Sequence, residues 1–208
     1  MIDSYKVCPL GLYEEILQTY RRDDLPDLDK QVAAIAKLSE MTEDEVLAMP
    51  LPDYAEAVRK ASFLANECHE LPKVAKRYKV AGWTLSPVQD LTKLTAAQYI
   101  DAQTYMAKGE DAMAEILSVA LVPEGHKYND GYDIVALQAD IRDNLSVADT
   151  LALCAFFLAK LAKLTAATLS YTARLLRRSK SRRAAELLTQ IEQIQRMILQ
   201  PAGGGSPT

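Results

Sequence analysis

His126 is one of two histidines, the residue type suited to general acid–base work, and it lies in Pro123-Glu124-Gly125-His126-Lys127-Tyr128-Asn129-Asp130-Gly131-Tyr132-Asp133. A general base at this place needs an orienting carboxylate within hydrogen-bond reach, and Asp130 or Asp133 could supply one. Against that, Gly125 and Gly131 frame a turn with Asn129 and Asp130 as turn formers, so the expectation is a loop held by its own side chains. The acid spacing of a calcium-binding loop is missing there. The other histidine, His69, directly follows Cys68. Neighbouring residues on a helix point apart and no second Cys/His pair completes a tetrahedral site, so a helix end with a histidine beside its carbonyls is expected, not a metal centre. The sequence holds no phosphate-cradling glycine loop, dinucleotide fingerprint, nucleophile elbow or zinc-protease helix. The reading is a chain that is not an enzyme and takes no cofactor.

Charge is the stronger signal. The net charge is −4, but residues 1–140 carry 14 Lys and Arg against 24 Asp and Glu, net −10, whereas residues 141–208 carry 10 against 4, net +6. Glu14 with Glu15, Asp23 with Asp24, and the acids of 43–45 read as solvated faces and helix N-terminal charges. Six basic residues crowd into segment 174–183: Arg174, Arg177, Arg178, Lys180, Arg182 and Arg183. As a nucleic-acid contact they would neutralise phosphates, although only Tyr171 stands near them as an aromatic and the chain as a whole is acidic. As a docking site for an acidic partner, or for the acidic half of another copy, they need no further ingredient; a plain solvated helix surface needs least. Beyond them Leu187, Ile191, Ile194 and Ile198 step by four, three and four residues, a seam too short for a coiled coil alone and suited to a partner-binding helix. These ten residues are the candidate partner-binding set.

The elements that must position these groups are mostly helical. Apolar residues recur at helical spacing in 9–20, 29–38 and 53–66, and Thr42 with Glu45 makes a capping box between the second and third of these stretches. Alternation from Val74 to Val80, then Ala81-Gly82, then Trp83 and Leu85, reads as a β-hairpin over about 74–86. A hairpin is marginal alone and must rest on the helices that follow. Those are two helices joined at Gly109, the first opened by Thr95 and Gln98 as a capping box, then a helix over 134–142. From about 146 a long helix runs without Pro or Gly to 176, apolar around most of its circumference, as a core helix or one shared with another subunit would be. The aromatic set Trp83, Tyr99, Tyr105, Tyr128 and Tyr132 reads as core with hydroxyls at its edge in preference to a recognition surface.

The expected fold is therefore mainly α: a single helical domain over 1–178 with an inserted hairpin and a long core helix, a basic and amphipathic C-terminal helix over 179–200, and a tail, AGGGSPT, over 201–208. Cys8, Cys68 and Cys154 are odd in number and far apart, which fits a reducing setting and not a disulfide framework. The longest apolar run, 150–159, is ten residues, where a bilayer span takes about 20. Neither secretion nor a membrane span is expected.

Three segments, LTAAQYIDAQTYM at 94–106, AEILSVALVPEGHKYNDGYD at 114–133 and IRDNLSVADTLALCAFFLAKL at 141–161, together with MTEDEVLAMPLPDY at 41–54, resemble the tail-assembly chaperones and related baseplate-hub assembly proteins of contractile-tailed phages. The likeness covers most of residues 5–175. It implies a non-enzymatic protein that binds unassembled tail components in the host cytoplasm or sits in the virion. The partners it implies are phage tail proteins, a tape-measure or baseplate-hub component; a second copy of the chain is a further candidate. Nucleic acid bound by 174–183 is the alternative, and no membrane is implied. The family defines no catalytic or binding residues by motif, so none is carried over.

Overall fold

The computed structural model describes residues 1–66, 68, 70–177, 187, 189–191 and 193. The chain divides into two compact units, Met1–Gln89 with Leu94–Phe156, and Asp90–Lys93 with Phe157–Thr208. The first unit opens with four short helices. Prolines at their doorsteps set the entry: Pro9 precedes α1 (Leu10–Tyr20), Pro26 precedes α2 (Asp27–Ser39) and Pro50 precedes α4 (Leu51–Ala61), where a missing N–H leaves no helical bond unmade. Helix α3 (Glu43–Leu47) starts on the expected capping box, with the Thr42 hydroxyl accepting from the Glu45 amide and the Glu45 carboxylate accepting from the Thr42 amide. Between α2 and α3 the chain turns through Glu40 in the left-handed region. The helix expected over 53–66 starts two residues earlier and becomes a 3-10 turn at Ser62–Ala65.

Two apolar clusters hold these helices. Cys8, Ile16, Ala34, Leu38 and Val147 form one, and Val32, Ile35, Ala36, Val46 and Ala57 the other. Helix α2 contributes to both. Its period places Ile35 and Leu38 on buried sides while Asp29 and Lys37 stay outside or at the boundary.

The hairpin is shorter than expected and belongs to a larger sheet. Strand β1 (Tyr78–Val80) pairs antiparallel with β2 (Trp83–Pro87), so Val74 and Lys76, which continue the alternation, lie outside the ladder. The link is two residues, Ala81 and Gly82, both at positive φ (44° and 87°), the conformation that a tight turn between twisted strands demands. A third strand, β3 (Leu121–Pro123), pairs with β2 in the register Leu85↔Pro123 and Pro87↔Leu121. It falls where a loop is expected. Three residues ending in proline carry no period-two signal, and the edge position is where proline is tolerated.

Thr95 and Gln98 form the expected capping box of α5 (Ala96–Met106), and Gly109, at φ 76°, turns the chain through a 3-10 segment into α6 (Met113–Ala120). Helix α7 (Ile134–Asn144) follows, then α8 (Val147–Arg177), at whose start the Ser146 hydroxyl accepts from the Asp149 amide at 3.1 Å. Val147 donates its amide to the Cys8 carbonyl, and Leu10 to that of Leu145, fastening the N-terminal segment beside the start of α8. The protein is thus mainly helical, with a small three-stranded antiparallel sheet and a long helix from Val147.

Within the first unit α8 is a core helix, burying Val147, Ala148, Ala152, Leu153 and Cys154. In the second unit Leu91, Phe157, Leu161 and Ala173 are buried, while Leu158 and Tyr171 face outward. Taken whole, Val147–Arg174 is long and apolar enough to cross a membrane by length and composition, with a mean hydropathy of 1.6 over its best window, which exceeds what the ten-residue apolar run implies. A third of that window, 33%, is buried inside the protein, and soluble core helices have the same composition.

Candidate functional site

The His126 corner is built as a turn. His126 is exposed, its Nδ1 lies 3.3 Å from the Asp130 carbonyl oxygen, and its ring meets Trp83 and Tyr132 edge-on at 6.1 and 5.8 Å between ring centres. Gly131 lies directly beneath: a Cβ there would stand 2.9 Å from His126 Nδ1. Asp133, one of the two acids offered as orienting groups, is used elsewhere. The Asp133 carboxylate accepts from the amides of Val135 and Ala136 at 2.8 and 3.3 Å, capping α7, and Asp130 closes the turn through its backbone. Trp83 donates its indole N–H to Asp140 at 3.2 Å and Tyr128 its hydroxyl to Asp101 at 2.8 Å. Burial, with Asp101 adding to it, pushes the Tyr128 phenol well above the usual range. Trp83, Tyr128 and Tyr132 therefore form a half-buried corner with their polar ends satisfied, the Tyr132 hydroxyl accepting from the Asn129 amide; Tyr99 is exposed, and Tyr105 lies under the Lys108 ammonium.

A half-buried ion triad joins α1, α6 and α7. The Arg142 guanidinium donates to Glu14 at 3.1 Å and to Glu115 at 2.9 Å, all three side chains being largely withdrawn from water. Glu14, expected on a solvated face, is thus half-buried in an ion network, whereas Glu15 does lie outside and pairs with Lys37 at 2.6 Å. Burial raises the Glu14 carboxyl above its ordinary range although Arg142 pulls it down, and Glu14 Oε1 has no hydrogen-bond partner. Glu14 and Arg142 are 128 positions apart, so no local pattern announces the pair.

The groove between α2, α3 and α4 has a different character. Its floor is Val32, Val46, Met49 and Tyr54, and it encloses about 420 Å³. Three leucines rim it and face water: Leu28 at 70% exposure, Leu47 at 69% and Leu51 at 78%. The short elements explain this. In the five-residue α3, Val46 points to the core and its neighbour Leu47 must point away; Leu28 and Leu51 sit in the first turns of α2 and α4, where the helix ends leave the core. The surrounding chain is acidic: residues 23–56 carry ten Asp and Glu against Lys30 and Lys37. Asp29 lines the groove, and Asp53 lies between Leu51 and Tyr54 in sequence. A second apolar recess, about 480 Å³, opens beside it among Leu17, Tyr20, Val58 and Leu64.

Of the ten candidate partner-binding residues, Arg174 and Arg177 are exposed at the end of α8, Leu187 is exposed at 43% and Ile191 half-buried, both of these in helical conformation. Arg178, Lys180, Arg182, Arg183, Ile194 and Ile198 lie outside the described residues, as does His69. Among the described residues no three His, Cys, Asp or Glu side chains gather as metal ligands. Burial pushes the thiols of Cys8 and Cys154 up to about 11 and about 12, so both stay protonated at neutral pH. Sequence reasoning missed the three rim leucines. For two of them, Leu47 and Leu51, the signal was the run Leu47-Ala48-Met49-Pro50-Leu51-Pro52, whose apolar residues fit no single helical face.

No family model, no curated protein and no solved structure matches this chain.

Proposed function

We propose that this protein works by binding other proteins, without catalysis, in the assembly of a phage tail or baseplate, holding apolar helices of a tape-measure or hub component until they are built in. The observation that carries the reading is the α2–α4 groove with Leu28, Leu47 and Leu51 on its rim. Clustered leucines beside an apolar recess favour a partner over water. Fully burying a leucine is worth roughly 1.5–3 kcal/mol, enough for three of them to offset a good part of the cost of association. An amphipathic helix laid in a groove is the mode that uses such a surface. The phage setting rests on the likeness of segments 41–54, 94–106, 114–133 and 141–161 to tail-assembly proteins. Action in the host cytoplasm follows from it, with residence in the virion as the structural variant of the same role.

The test is co-expression with the tape-measure and baseplate-hub proteins of the genome that encodes it. Co-purification that is lost in the Leu47→Glu/Leu51→Glu variant is the expected result. Absence from finished particles assigns a chaperone role and stoichiometric presence a structural one. A chain that captures neither protein overturns the reading.

A further inference from the structure

We propose that the α2–α4 groove is the docking site for the basic C-terminal arm of a second copy of this chain. The inference rests on the reading of this groove as a protein-binding face and names one occupant for it. The groove offers two complementary features at once. Its floor of Val32, Val46 and Met49 is apolar, and its rim leucines are exposed. Around them the chain from Asp23 to Glu56 holds ten acids against two lysines, and among the described residues Asp29, Asp44 and Asp53 form no salt bridge. A fitting occupant therefore carries an apolar stripe beside concentrated positive charge.

The chain itself contains such a segment. Within 174–183 six of ten residues are basic, and Leu187 and Ile191 follow at a helical step. Leu187 is exposed at 43%, so its side chain is open to a further contact. The pairing joins a net −8 stretch to a net +6 one, which steers encounter and selects against acidic competitors. Attraction between such exposed charges falls with added salt, while the leucine contacts do not. A second copy's arm covers Leu47 and Leu51 while no tail component is bound, and a tail helix of the same chemistry displaces it.

Sedimentation velocity of the full chain across a wide concentration range, at low and high salt, is the test. The expected result is reversible association that weakens with salt, reduced roughly tenfold or more by Leu47→Glu/Leu51→Glu and likewise by Arg182→Glu/Arg183→Glu. Mixing Asp29→Lys/Asp53→Lys with Arg182→Glu/Arg183→Glu restores association that each lacks alone. Circular dichroism checks that every variant keeps its helix content. Carbodiimide cross-linking of a mixture of isotopically light and heavy chains then finds links from Asp29 or Asp53 to Lys180 between copies. A chain that stays monomeric throughout, association indifferent to the groove variant, or links confined within one copy each overturns the proposal. If these fail while capture of a tail protein still needs Leu47 and Leu51, the self-association falls and the protein-binding reading stands.

Discussion

Carboxylates and apolar side chains come together at two places in the first unit, and the fold treats them in opposite ways. Where α1, α6 and α7 meet, Glu14 and Glu115 close on Arg142 half out of water, and the network is complete but for one Glu14 oxygen. Around α2–α4 the acids stay in water and three leucines stay with them. The first arrangement spends its charge on itself and fixes three helices. The second leaves both charge and apolar surface for something outside the unit. That difference, and not any catalytic constellation, is what singles out the groove.

The largest expected effect breaks the first region. Arg142→Ala leaves two half-buried carboxylates without their cation and should destabilise the protein by about 2 kcal/mol, lowering Tm by roughly 4–8 °C in a thermal melt. Replacing Glu14, Arg142 and Glu115 together by Leu, Met and Leu should recover most of that loss, because an apolar trio needs no compensation. If the single and triple variants melt alike, the triad does not hold α1, α6 and α7 together.

Next in size is helix capping. Thr95→Ala removes the cap of α5 and Thr42→Ala that of α3, each for about 1 kcal/mol in chemical denaturation. Only the second should also weaken partner capture, since α3 carries Leu47.

Smaller still is the pH response, which should have opposite signs at two carboxylates. Burial raises the Glu14 carboxyl in the folded state. Its ionisation thus detracts from stability at neutral pH, and the deficit fades as pH falls through the raised folded value towards the unfolded one. The Glu45 carboxyl is held low by the Thr42 amide that it caps. Its contribution is present above the unfolded value and is lost as pH falls through the lowered one. Against their glutamine variants, the wild type should gain ground on acidification in the Glu14→Gln comparison and lose ground in the Glu45→Gln comparison. Melts from neutral to mildly acidic pH that move in the same direction would contradict the burial contrast.

The smallest effect on stability belongs to the groove. Leu47→Glu/Leu51→Glu changes residues at 69% and 78% exposure and should shift stability by under about 0.5 kcal/mol per site while abolishing partner binding. A large loss of stability would mean that these leucines serve the fold.

Much of the architecture could be read before the coordinates. The capping boxes at Thr42 and Thr95, the glycine stop at Gly109 and the Ser146 start of the long helix are local devices, each decided within four residues, and all are present. The features that escaped depend on distance in sequence. Strand β3 exists because β2 lies beside it, and Glu14 is drawn half out of water because Arg142 reaches it from α7. The rim leucines escaped for another reason: each belongs to a short element whose turn of exposed residues looks like the rest of an amphipathic pattern until the neighbouring helices are placed. The partner-binding set at 174–198 was legible as chemistry, as charge and apolar steps, but its receiving surface was not.

Amide hydrogen exchange of the full chain at several concentrations and two salt levels tests the contrast most directly. The account predicts that amides across Leu28 to Tyr54 gain protection as concentration rises at low salt and lose it at high salt, while those of α6 and α7 stay constant. Protection across Leu28 to Tyr54 that is the same at every concentration and salt level would contradict it.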